Sequence, residues 1–198
     1  RVLFRSTVDI IDSDAGEFVV EREFNVLTLY SGTELQERAR QRYYQQIYRD
    51  AYGRLKKTSF EISAVIGSKA LKTNPSSPDY YSAASLLNWT QNLPYERNFS
   101  KSDFTHPVSA LQGKGSDCDS RAMLLTILYR QMNIGAEFFL STEYSHSVVG
   151  VDVPGKGAEI DYEGTMYLLG ETTAKVDLGL MAQDMSDSSK WFVIPLAE

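Results

Sequence analysis

At 198 residues the chain suits one domain of generous size, or a core domain with an added subdomain; 42% hydrophobic and 23% charged residues are ordinary for a globular protein. The net charge of −6 argues against a nucleic-acid partner, which calls for a basic stripe, and no apolar run approaches the roughly 18 residues of a membrane span. One cysteine excludes an internal disulfide, and with only two histidines beside it the ligands for a zinc site are too few.

The chain starts at Arg1 and carries no signal-peptide pattern, the expectation for a fragment or processed product of a longer protein. Its compartment stays open, an extracytoplasmic one included. Val2, Phe4, Val8, Ile10 and Ile11 precede turn chemistry at Asp12-Ser13-Asp14-Ala15-Gly16. Phe18, Val20, Arg22, Phe24 and Val26 then run with mixed period-2 character, so residues 1–32 read as a β-hairpin extension. Thr33 reads as a helix N-cap. Leu35, Ala39, Tyr43, Ile47, Ala51 and Leu55 then recur every four residues to about Lys57, with Arg38, Arg40, Arg42 and Arg49 largely on other faces. That pattern is an amphipathic helix with a solvated basic face and tyrosines packed inward. A weaker helical piece covers Phe60 to Leu71. Pro78 opens another helix, through Trp89, and Pro94 to Pro107 reads as irregular.

The only cysteine follows a glycine-rich charged loop, Leu111-Gln112-Gly113-Lys114-Gly115-Ser116-Asp117-Cys118-Asp119-Ser120-Arg121-Ala122, and precedes an apolar run of helical spacing. Cys118 therefore sits at a helix N-terminus, where free N–H groups and the macrodipole favour a thiolate. A cysteine nucleophile needs an imidazole and a group to orient it. His106 lies in the loop before Pro107 and reads as a loop or rim residue. His146 lies among small neighbours in a strand, Glu143 to Val151, that follows a first strand at Ala136-Glu137-Phe138-Phe139-Leu140. A third strand, Thr165 to Gly170, ends at Glu171. If it pairs antiparallel with the histidine strand, the carboxylate reaches His146. Asp161 and Asp177, each read as a loop residue, are the competing acids. Asp117 and Asp119 fit a helix N-terminus better than a calcium site, which wants six to eight oxygens.

The motif Gly115-Ser116-Asp117-Cys118-Asp119-Ser120-Arg121-Ala122, with Tyr144-Ser145-His146-Ser147 and Glu171-Thr172-Thr173 after it, resembles the transglutaminase-like superfamily with its papain-like fold. The similarity is greatest to the bacterial transglutaminase-like cysteine-peptidase branch, over about residues 80–175. The resemblance implies Cys118 as nucleophile, His146 as base and Glu171 as orienting acid. Gln112, six residues before the cysteine, is similar to the papain glutamine that donates to an oxyanion. The chain departs from the family pattern in having glutamate where aspartate is usual, and Val148 and Val149 where an aromatic often follows the histidine.

The expectation is thus an α+β fold in which the cysteine helix packs on an antiparallel sheet, with residues 33–198 forming one transglutaminase-like domain. Its expected activity is hydrolysis of amide bonds in a protein or peptide through a thioester, without a cofactor. Transfer of the acyl group to an amine, and a non-catalytic binding or scaffold module of the same fold, are the rivals.

Overall fold

The structure is a computed structural model that describes residues 9–97 and 102–196. Its described residues form a mixed α+β architecture: five α-helices and one five-stranded antiparallel sheet. The helices are α1 (Ile10–Leu29), α2 (Gln36–Thr73), α3 (Pro78–Thr90), α4 (Pro107–Leu111) and α5 (Cys118–Gln131). The strands are β1 (Ala136–Ser141), β2 (His146–Val151), β3 (Glu159–Tyr162), β4 (Thr165–Gly170) and β5 (Phe192–Val193), ordered β3-β4-β2-β1-β5. No described helix is long and apolar enough to cross a membrane.

The N-terminal β-hairpin is overturned. Residues 10–29 are one helix, capped by Asp9, whose side chain accepts from the Ile11 N–H at 2.9 Å. The first limb's residues 1–8 lie outside the described residues. The buried positions of α1 are Ser13, Gly16, Val19, Val20 and Glu23, a helical stripe in which three of the five are small or polar. Ile10, Ile11 and Phe18 are exposed instead. Hydrophobic periodicity reads the apolar side chains, and here those are partly on the wrong face to reveal the helix.

What seats α1 is contact at short range. Gly16 lies against the ring of His106, where a Cβ would come within 2.3 Å of Nδ1, and Ser13 Oγ meets Ser109 Oγ at 2.6 Å in a buried hydrogen bond. Along α2, Asp12 takes Arg54 at 2.6 Å and Glu23 takes Arg42 at 3.0 Å, so the two helices run antiparallel.

The two helical pieces expected over 33–71 are a single helix, α2. Thr33 is not its cap: Leu35 occupies that position without a side-chain bond, and the Thr33 hydroxyl donates to the Tyr30 carbonyl. The four-residue repeat does mark the buried face, with Tyr43, Ile47, Ala51 and Leu55 in the core and Leu35 exposed. Pro78 opens α3 as expected.

Helix α5 is buried along nearly its whole length and packs against α2, α3, β1 and β2. One sheet face meets it through Phe138, Val149, Val151 and Leu168; the other buries Phe139, Val148, Ile160, Leu169 and Trp191. Alternation along each strand sorts these residues between the two faces. Strand β3, read from sequence as an intervening loop, pairs with β4 over Glu159 to Tyr162. Asp161 therefore belongs to a strand, where it accepts from the Gly164 N–H.

Candidate active site

The loop before the cysteine is fixed before the helix starts. Gly113 takes a left-handed backbone (φ 85°), open to glycine without strain, which lets Lys114 N–H return to the Ser109 carbonyl. Ser116 exchanges hydrogen bonds with the 94–97 strip: its N–H donates to the Pro94 carbonyl at 3.1 Å and its carbonyl accepts from Glu96 N–H at 3.2 Å. Asp117 is the N-cap of α5, its carboxylate accepting from both the N–H and the hydroxyl of Ser120. Cys118 is thereby the first residue of the helix.

Cys118 and His146 line one cleft of about 380 Å³, together with Tyr44, Asp103, Asp117 and Asp119. Antiparallel pairing of β2 with β4 puts Val149 opposite Gly170, so Glu171, the next residue, arrives beside the start of β2. There His146 Nε2 and Glu171 Oε2 are 2.7 Å apart, both side chains nearly buried. Glu171 Oε1 accepts from the N–H and hydroxyl of Thr173, both at 2.6 Å. Burial alone would push this carboxyl up; the hydrogen bond and charge of His146, with the Thr173 donors, outweigh it and hold the group down at about 2. Nε2 is thus committed to the acid, and Nδ1 is the nitrogen left to take a proton.

The thiol departs from expectation. Burial, then Asp119 and Asp117, push Cys118 up to about 12, against the donors of Ser147 and the charges of Arg97 and Arg121. The helix macrodipole amounts to about half a charge, and two adjacent carboxylates in a buried site exceed it. The resting thiol is neutral and donates to Asp119 Oδ1 at 3.5 Å, while Asp119 Oδ2 accepts from Tyr44 at 2.5 Å. Among the described residues no hydrogen bond joins Cys118 to His146, so transfer between them requires the thiol to turn from Asp119. Catalytic hydrogen bonds often form only with substrate bound. Asp117 is itself raised to about 7 by burial and by Asp119, against the Ser120 donors.

Two residues read from the sequence lie elsewhere. Gln112 ends α4 and its amide donates to the Asp9 carbonyl at 3.3 Å, tying α4 to α1; it is not among the residues lining the cysteine cleft. His106 is no rim residue but wholly buried, with Nδ1 accepting from Val108 N–H and Nε2 3.2 Å from Asp50. Asp117, Cys118 and Asp119 bring one possible ligand atom each within 4.8 Å. Both carboxylates already accept protein hydrogen bonds, and the set falls well short of the oxygens calcium requires.

Several residues that build the site carried no sequence signal. Arg121 is 1% exposed and makes no ion pair among the described residues. It spends its donors on Ser116 Oγ, the Leu93 carbonyl and the Thr172 carbonyl, under the ring of Tyr95. Gln91 donates to the carbonyls of Glu171 and Val176. Together they fix the backbone of the acid relative to the cysteine helix. Trp191, one of only two tryptophans, sets its ring 6.2 Å from that of His146. Arg121→Met is expected to leave two carbonyls without donors and to lower unfolding free energy by about 3 kcal/mol or more, measured in urea. An unchanged midpoint would mean that this arginine does not hold the acid's backbone.

Compared with family models, curated proteins and solved structures, the chain matches none of them.

Proposed function

We propose that the protein is a cysteine-dependent hydrolase of amide bonds in a peptide or protein, of the transglutaminase-like kind with a papain-like core. One observation carries this reading: an imidazole clamped to a carboxylate at 2.7 Å, facing a cleft that also holds the only cysteine, at a helix N-terminus. In the proposed reaction His146 Nδ1 takes the Cys118 proton, and Sγ attacks the carbonyl carbon. The imidazolium returns the proton to the departing amine, and water then cleaves the thioester by the reverse use of His146. Glu171 holds the ring's tautomer and stabilises its charged form. The backbone N–H groups at the start of α5 serve in this reaction as donors for the oxyanion, Gln112 lying outside the cleft and donating to Asp9. Acyl transfer to an amine uses the same residues.

The neutral thiol held by Asp119 favours a second reading, a binding module that keeps the fold without turnover. Alkylation by iodoacetamide, followed by intact mass, separates the two. For an enzyme, His146→Ala slows alkylation near pH 7.5 by about 10²-fold, in the range of general-base effects. A thiol that titrates only at high pH and ignores His146→Ala would leave the binding module. A peptide library screened by mass spectrometry, with and without added amines, then tells hydrolysis from transfer.

A further inference from the structure

Strand β2 carries a second polar residue next to its histidine. Side chains alternate along a strand. Val149 and Val151 pack into the core with α5, whereas Val148 packs with Phe139 and Trp191 on the opposite face. Ser147 shares the parity of Val149 and Val151 and so points toward α5, while His146, the first residue of the strand, has its ring beside Trp191 and lines the cleft with Cys118. Ser147 is wholly buried, and its Oγ has no hydrogen-bond partner among the described residues. A buried hydroxyl without a partner is destabilising, and native proteins keep few of them. Helix α5, on that side of the sheet, begins at Cys118, and the Ser147 hydroxyl and backbone N–H are the neutral donors that favour the ionised sulfur, beside the charges of Arg97 and Arg121.

We propose that Ser147 is a catalytic residue, whose N–H and Oγ–H are the two donors that hold the Cys118 thiolate once His146 has taken its proton. The inference rests on the Cys118–His146 reading above. In the step concerned the Sγ–H proton passes to His146 Nδ1, Nε2–H stays on Glu171, and the sulfur's new charge accepts from the two Ser147 donors. No bond between heavy atoms forms or breaks. The orphaned hydroxyl of the resting protein finds its partner only in the activated one, so its cost falls on the resting state and its benefit on the state that reacts.

Other charged groups bear on the same sulfur. Asp119 and Asp117 come from α5, with Asp119 tied to Tyr44 of α2. Tyr95 and Arg97 come from the strip after α3, Arg121 from α5, and Asp103 and His146 line the cleft, with Glu171 behind the imidazole. None of the others is a neutral donor aimed from the sheet.

The test is the rate of iodoacetamide alkylation against pH in the whole chain, where one cysteine makes the mass shift unambiguous. Ser147→Ala is expected to slow alkylation about tenfold at pH 8 and to move the profile up by about one pH unit. It should also raise Tm by a few degrees, because the orphaned hydroxyl is gone. Ser147→Thr, which keeps the hydroxyl, should recover part of the rate. A structural serine predicts the opposite pair: a lower Tm and an unmoved profile, and that result overturns the proposal. His146→Ala is measured alongside. If it slows alkylation and Ser147→Ala does not, Ser147 alone is wrong; if neither variant matters, the Cys118–His146 reading is what has failed.

Discussion

Cys118→Ala is expected to reduce turnover by about 10⁴-fold or more on any peptide the wild type cleaves, while the fold remains. The size follows from the proposed mechanism: without sulfur no thioester can form, and a water in the cleft would have neither the nucleophilicity nor the position of Sγ. The fold should survive because alanine is the best helix former and the site is the first residue of α5, where Asp117 and not Cys118 supplies the cap. The variant also has a signature in stability. The buried thiol is pushed up to about 12 from an ordinary value of 9, so above roughly pH 9 the unfolded chain releases its proton while the folded chain keeps it. Wild-type stability therefore falls as pH rises through that window, and Cys118→Ala removes this part of the slope. Urea titrations at pH 7 and 10 measure it. Activity that persisted in the variant would take the nucleophile away from Cys118.

Glu171→Gln should be the next most damaging change, lowering kcat by about 10²–10⁴ with a smaller effect on KM, by analogy with the loss of an orienting carboxylate. Glutamine fits the space, yet it offers either an amide N–H or a carbonyl where His146 Nε2 requires a charged acceptor at 2.7 Å. The ring loses its fixed tautomer, and the imidazolium of the proposed reaction loses its counter-charge. The sign with pH is set by the carboxyl. Its folded value, about 2, lies below the ordinary 4.5. Its contribution to stability is therefore fully present above about pH 4.5 and is lost as pH falls toward 2. Glu171→Gln should lose stability at pH 6 and unfold with a shallower acid slope than the wild type. Equal kcat in the two proteins would show that the carboxylate does not orient the base.

The three residues proposed for the chemistry stood out in the sequence because each is rare or sharply placed. Cys118 is unique, and His146 is one of two. Glu171 closes an apolar strand, and the antiparallel β2–β4 register brings it to His146. The alternation in β1, β2 and β4 and the apolar run of α5 reflect burial directly, so a pattern of side chains was enough to find them. The same method failed for α1. Its buried stripe includes Ser13, Gly16 and Glu23, chosen to fit Ser109, His106 and Arg42, while Ile11 and Phe18 face outward. Gln112 lies outside the cysteine cleft at the end of α4, where its amide donates to the Asp9 carbonyl, a placement that its spacing from Cys118 does not reveal.

Composition and local pattern thus determined the mixed α+β class, the helix that begins at the cysteine, and the pairing of His146 with Glu171. They act over a few residues, through helix ends, strand alternation and scarcity of a residue type. Tertiary structure alone decided the state of the thiol. Its burial, the pairing of Asp119 with Tyr44 of α2, and the approach of Ser147 from the sheet come from segments between 29 and 75 residues away, and those contacts decide whether the sulfur is charged. A helix end favours a thiolate wherever it occurs; whether this one holds a thiolate depends on which charges the rest of the fold brings within reach.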